Sequence, residues 1–196
     1  DRPFEVYFVQ RQECILTGHA GTESPIAIHI STSIACVEIS DGGVYWWSLT
    51  TAHSMQLRWA RNTRLTGGGT WLAVVTPAGR IQVMDPQNGL KALPDPKAMS
   101  STPIHRVAFA GQSSLMFALD EEGYLVRYDL SQSGLRGAVG EDVLQINAPV
   151  DQIWAIHGGD RVYLRIISAD DGPKLIVIDV GRKELIAVIN APDTFA

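Results

Sequence analysis

Charge is scarce in this chain of 196 residues, where Asp, Glu, Lys and Arg together make up 19%. The 16 basic side chains stand against 21 acidic ones, a formal net charge of −5. Nucleic-acid binding calls for clustered Lys and Arg, so that balance argues against a nucleic-acid partner. Cysteine is nearly absent: Cys14 and Cys36 fall in β-patterned runs and read as buried free thiols, because disulfide frameworks belong to small, Cys-rich secreted chains. No apolar run approaches the roughly 18–20 residues that span a bilayer, so no membrane partner is expected. Cytoplasmic residence is the expectation that fits the chain's cysteine usage. Its start, Asp1-Arg2-Pro3, is neither an initiator Met nor a signal peptide, as expected of a processed or excised piece. Helical periodicity is also scarce, since 18 Gly and 10 Pro punctuate the chain at short intervals and suit turns better than helices.

Short strand-like runs are what the chain has in quantity. Ala35 to Leu49 reads A-C-V-E-I-S-D-G-G-V-Y-W-W-S-L, two β-rich runs joined by Asp41-Gly42-Gly43. Asp and Gly accept the positive φ that a tight hairpin turn demands, which makes the pair a strong local hairpin signal. The pattern returns at Trp71 to Asp85, at Leu115 to Leu130 and at Val162 to Val180. Aligning Gly42, Gly79, Gly123 and Gly172 gives spacings of 37, 44 and 49 residues, which straddle the ~40–45-residue period of four-stranded propeller blades. Runs such as Phe4 to Val9, Ile26 to Ile30, Ile104 to Phe109, Val150 to Ile156 and Leu185 to Ile189 fill the spaces between turns.

The expected fold is therefore all-β: a propeller of four-stranded antiparallel blades over 25–59, 63–94, 102–131 and 149–191. Residues 3–17 are left over as one or two outer strands of a partial blade. The stretch S-Q-S-G-L-R-G-A-V-G-E-D after Leu130 reads as a long outer connection. Four blades and an orphan pair amount to part of a ring, so an open or incomplete ring is expected, completed by another chain or segment. A four-bladed ring closing on itself is the competing arrangement.

The repeats resemble WD40 repeats over nearly the whole chain. Gly18-His19, Asp41-Gly42 and Trp47-Ser48 carry the likeness in the first unit, and Met84-Asp85, Tyr128-Asp129 and Ile178-Asp179 stand where that family ends a repeat with Trp-Asp. The resemblance implies a hydrogen-bonded pin of His19, Asp41 and Trp47 holding the first blade. The last unit, from Arg161 to Ala191, is also similar to the YVTN-type surface propeller repeat. Both resemblances imply the same fold.

Catalytic and metal motifs are wanting. His19, His29, His53, His105 and His157 lack zinc-type spacing and there is no Cys-x-x-Cys, so no metal and no cofactor are expected. His29 and His105 read as structural, hydrogen-bonded strand residues. No G-x-S-x-G elbow occurs, and Thr66-Gly67-Gly68-Gly69-Thr70 lacks the Lys-Ser/Thr of a phosphate loop and reads as a hairpin connection. Trp46, Trp47, Trp59, Trp71 and Trp154 read as core residues. Acids cluster at the turns between second and third strands, and the WD40 resemblance implies that Asp41, Glu121, Glu122, Asp170 and Asp171 share one rim, with Arg61, Asn62 and Arg64 brought near by the inter-blade connections. An acidic rim attracts a basic segment and speeds its capture at low salt.

The function expected is a non-enzymatic scaffold or sensor that displays loops to a protein or peptide partner. The alternative is a ligand-binding or catalytic propeller with its site at the axial channel, which needs polar side chains converging from several blades. Fold alone does not decide between them.

Overall fold

The computed structural model describes the backbone of eighteen strands and the side chains of residues 71–76, 78–84, 102–111, 113–131, 140–156, 158–167 and 172–190. Among the described residues the elements are strands, apart from a 3-10 turn at Leu130–Gln132. β1 (Pro3–Phe8) and β2 (Glu13–His19) form a two-stranded sheet. A first four-stranded sheet follows from β3 (Pro25–Ile30), β4 (Ile34–Ile39), β5 (Gly43–Ser48) and β6 (Ser54–Arg58). The second comprises β7 (Arg64–Gly68), β8 (Trp71–Val75), β9 (Ile81–Asp85) and β10 (Lys91–Ala92). The third comprises β11 (Ile104–Phe109), β12 (Leu115–Asp120), β13 (Tyr124–Asp129) and β14 (Gly140–Gln145). The fourth comprises β15 (Val150–Ala155), β16 (Arg161–Ser168), β17 (Gly172–Asp179) and β18 (Glu184–Asn190).

Each four-stranded sheet is an antiparallel meander in chain order, and the first strands touch one another in sequence, β3 to β7, β7 to β11 and β11 to β15. A parallel bridge between Ala110 and Ala155 joins the ends of two of these inner strands. The sheets therefore stack face to face around an axis, and the described sheets do not close into a ring.

Period-two alternation decides which residue meets which neighbour. Met116 and Ala118 of β12 turn towards the second sheet and pack with Ala73, Val75, Ile81 and Val83. Phe117 and Leu119 turn the other way and pack with Val162, Leu164, Ile176 and Ile178 of the fourth sheet. A strand buried on both faces needs an unbroken apolar run, and L-M-F-A-L is one. Burying each large side chain contributes about 1.5–3 kcal/mol, so these seams are the main attraction between sheets.

The third sheet reaches beyond Ser131, since β14 begins at the end of the stretch expected to be an outer connection and runs on to Gln145. Gly140 opens it because the Tyr128 ring lies flush on its backbone: a Cβ there would stand 2.8 Å from Cε1 of Tyr128 and 2.7 Å from Cγ1 of Val126. Close backbone approach is a recurring use of glycine.

In the second and third sheets a turn glycine ties the sheet to the chain leading into the next strand. The Gly79 carbonyl accepts from the N–H of Ile104 at 2.8 Å, and the Gly123 carbonyl accepts from the N–H of Ile146 at 2.8 Å. Gly79 and Gly123 have φ of 73° and 84°, in the left-handed region that costs an L side chain about 1–2 kcal/mol.

Candidate interaction surface

The third sheet shows what the repeated motif positions do. Asp120, the last residue of β12, is fully buried. Its Oδ1 accepts from the N–H groups of Glu122 at 3.0 Å and Tyr124 at 2.8 Å, which closes the turn into β13. The neighbouring Glu121 and Glu122 point to solvent. In the position of the family's tryptophan, Tyr128 and Ile178 are buried. Burial pushes the Tyr128 hydroxyl up to about 12, with the charges of Asp120 and Asp142 adding to it. The acid that follows caps the next turn. Asp129 Oδ1 accepts from the Ser131 N–H at 2.9 Å, the Ser131 hydroxyl at 2.6 Å and the Ser114 hydroxyl at 3.0 Å. The Ser131 hydroxyl, ahead of the other contacts, holds the Asp129 carboxyl below its ordinary range. Asp179 does the same job, accepting from the N–H of Arg182 at 2.9 Å.

Of the acidic rim, Glu121 and Glu122 are placed, exposed in the turn between β12 and β13. Asp41, Arg61, Asp170 and Asp171 lie outside the described residues, as do the side chains of Arg64, His19 and Trp47. Neither the rim nor the His19–Asp41–Trp47 pin is assembled by what is described.

A polar seam that sequence inspection passed over joins the third and fourth sheets near the start of their inner strands. Arg106 donates from Nε to the Asp151 carbonyl at 2.7 Å and from Nη1 to the His105 carbonyl at 2.9 Å. Asp151 in turn holds Arg165, whose Nε donates to both carboxylate oxygens at 3.0 Å and whose Nη2 adds a further bond. That pairing lowers the Asp151 carboxyl against the opposing effect of burial. His105 Nε2 lies 3.4 Å from the Val150 carbonyl, the structural role expected of it. At the outer end, Glu141 meets Arg127 at 2.5 Å and Lys183 at 3.0 Å, and Lys183 also donates to the Asp142 carbonyl at 2.9 Å. Each cation here is engaged with a carboxylate or a carbonyl, which suits clamping one sheet to the next. Among the described residues no group of three or more His, Cys, Asp and Glu is arranged to hold a metal.

Among the described residues, the exposed large apolar side chains belong to the fourth sheet and the turn that follows its first strand. Register makes Phe117 of the third sheet (opposite Arg127) equivalent to Tyr163 of the fourth (opposite Val177), and Ala108 equivalent to Trp154. Phe117 and Ala108 are buried under the fourth sheet. The same face one sheet later is more open among the described residues: Val177 at its middle is buried, but around it Trp154 is 41% exposed, Ile167 53% and Ile189 51%. Trp154 is thus a surface residue and not the core residue expected. Its side chain alternates onto the face of the sheet that no described sheet covers. Trp71, by contrast, packs against the seam between the second and third sheets.

Four-stranded antiparallel sheets stacked around an axis, with their first strands innermost, define a β-propeller. No protein-family model matches the chain, and no curated protein matches it in sequence. Solved structures do. The chain is similar to one in a complex of KlAtg21 with the coiled coil of AgAtg16, at a TM-score of 0.72 and 11% identity, covering 97% of this chain and 63% of that one. It is similar to the Cps50 (Swd1) β-propeller domain of Myceliophteria thermophila, at a TM-score of 0.63 and 15% identity, covering 88% and 57%. It is similar as well to a chain of the mitotic checkpoint complex, at a TM-score of 0.67 and 13% identity, covering 98% and 60%. These neighbours are WD40 β-propellers, and the chain has their fold. It spans 57–63% of their length.

Proposed function

We propose that the chain is a protein-interaction module of the WD40-propeller kind that works inside a larger assembly and carries no catalytic site of its own. The observation that carries this reading is the uncovered face of the fourth sheet. Contiguous apolar surface of this kind marks an interaction site in folded proteins. The equivalent face of the third sheet is sealed by another blade. A further blade, supplied by a partner or by another segment, is the element that fits here. Two of the similar structures are complexes by name, with the coiled coil of AgAtg16 and within the mitotic checkpoint complex, which supports a protein partner as the class.

A second contact follows from charge. The exposed Glu121-Glu122 turn, joined by Asp41, Asp170 and Asp171 if the repeat holds, would draw a basic peptide to one rim. Both contacts are tested in one capture experiment with the 196-residue chain as bait. Trp154→Asp with Ile167→Asp removes stoichiometric partners that recognise the open face. Reversing Glu121, Glu122, Asp170 and Asp171 slows capture of basic partners at low salt and changes little at high salt. A bait whose captured proteins are the same with and without both sets of substitutions refutes the reading.

A further inference from the structure

The outer strand of the fourth sheet is apolar where its counterpart in the third is charged. In the third sheet Arg127 stands opposite Glu141 and Val126 opposite Asp142. At the equivalent positions of the fourth, Val177 stands opposite Ala187 and Ile176 opposite Val188. Free sheet edges are ordinarily blunted by charge, which discourages pairing with another chain. β14 follows that rule with Glu141 and Asp142, and β18 has no charged residue between Glu184 and its end at Asn190. β18 is the edge of its sheet, and Leu185, Ile186, Val188 and Ile189 are 48%, 39%, 54% and 51% exposed.

These side chains point both ways. Leu185 and Val188 stand opposite Ile178 and Ile176, on the face turned towards the third sheet, whereas Ala187 and Ile189 stand opposite Val177 and Leu175 on the open face. A completing blade would lie over the open face and leave Leu185 and Val188 as they are. The element that meets both faces at once is a strand added to the edge, because its side chains alternate between them. Such a strand must be uncharged and apolar on both faces, and β18 itself answers that description.

We propose that β18 pairs antiparallel with β18 of a second copy of this chain, joining two fourth sheets into one continuous sheet. An isologous contact about a two-fold axis places the same patch on both copies. Centred on Val188, it sets Val188 against Val188 of the partner subunit. Ala187 and Ile189 then oppose their counterparts on one face, and no charge opposes a like charge, the condition for favourable cross-strand pairs. The proposal rests on the general interaction reading above but uses the edge of the sheet, not its open face.

Sedimentation velocity of the 196-residue chain tests it, reading mass against the 21.4 kDa of one copy. The expected result is a reversible dimer in the micromolar range. Ala187→Glu with Val188→Asp places on this edge the residues that the third sheet carries at the equivalent positions. This pair should weaken dimerisation ~100-fold or more with an unchanged circular dichroism spectrum. Trp154→Asp, on the open face, should leave the dimer constant within about two-fold. A chain that stays monomeric at 100-micromolar order, or a dimer that survives the edge pair and is lost with Trp154→Asp, overturns the proposal. The latter result would leave the open-face reading standing.

Discussion

Phe117 and Tyr163 occupy the same place in successive sheets, and the difference in what covers them fixes a difference in what they are worth. Phe117 is fully buried between the third and fourth sheets, against Val162, Leu164 and Ile176. Removing a fully buried Phe side chain costs about 3–5 kcal/mol, the sum of lost transfer energy and the cavity left behind. Tyr163 lies on the uncovered face and is half-buried by its own sheet. Its truncation leaves a dent open to water and no sealed cavity, so Tyr163→Ala should cost roughly 1–1.5 kcal/mol. Urea unfolding followed by tryptophan fluorescence separates the two. With m of about 3 kcal/mol per molar, the upper end for urea, Phe117→Ala lowers the midpoint by roughly 1–1.7 M and Tyr163→Ala by roughly 0.3–0.5 M. Equal losses would mean that the fourth sheet is covered like the third, and the reasoning behind the open face would fail. A loss below ~1 kcal/mol for Phe117→Ala would deny the seam itself.

Glycine substitutions separate strain from collision. Gly172→Ala meets nothing within 4 Å at a φ of 73° and should cost about 1–2 kcal/mol, whereas Gly123→Ala drives a Cβ to 2.1 Å from the Ile146 carbonyl oxygen and should cost well beyond that in the same urea assay. Below its ordinary range, the Asp151 carboxyl contributes stability that is present above the unfolded carboxylate pKa of ~3.9 and is lost as pH falls through the folded value. Asp151→Asn should therefore weaken the protein at neutral pH and flatten its acid limb below about pH 4, read from thermal midpoints across pH. The Tyr128 hydroxyl, raised to about 12, contributes stability that is complete below ~10 and lost as pH climbs through the folded value. Tyr128→Phe should accordingly soften the alkaline limb of the same profile.

Turn chemistry made the repeat legible in the sequence, because a tight turn between two strands needs Gly near one fixed place. Gly79 and Gly123 mark such turns with positive φ. The blade cores were legible for a related reason: strands covered on both faces, such as β12, have no room for polar residues. β14 hid because it is an outer strand with one wet face. Glu141 and Asp142 look like loop residues until Arg127 is seen opposite Glu141 and Val126 opposite Asp142. Asp120 hid beside Glu121 and Glu122, three acids in a row that differ only in where the strand ends. The Asp151–Arg165 pair could not be read locally, since the partners lie on adjacent strands 14 residues apart. Trp154 was misjudged because alternation tells which face a side chain takes, while the presence of a neighbour over that face is a property of the whole assembly.

The central claim is that successive sheets stand side by side around an axis with their first strands innermost, and the parallel bridge between Ala110 and Ala155 states it most locally. Bridged strand positions fall within the roughly 4.4–6.8 Å Cα separation a disulfide needs, whereas an inner and an outer strand do not. With Cys14 and Cys36 replaced by Ser, the variant Ala110→Cys/Ala155→Cys should form an intramolecular disulfide under mild oxidation, seen by mass spectrometry as the loss of two free thiols. The control Ala110→Cys/Ala187→Cys, which joins an inner to an outer strand, should keep both thiols. Free thiols in the first variant and a cross-link in the control would contradict the stacking of sheets on which the account is built.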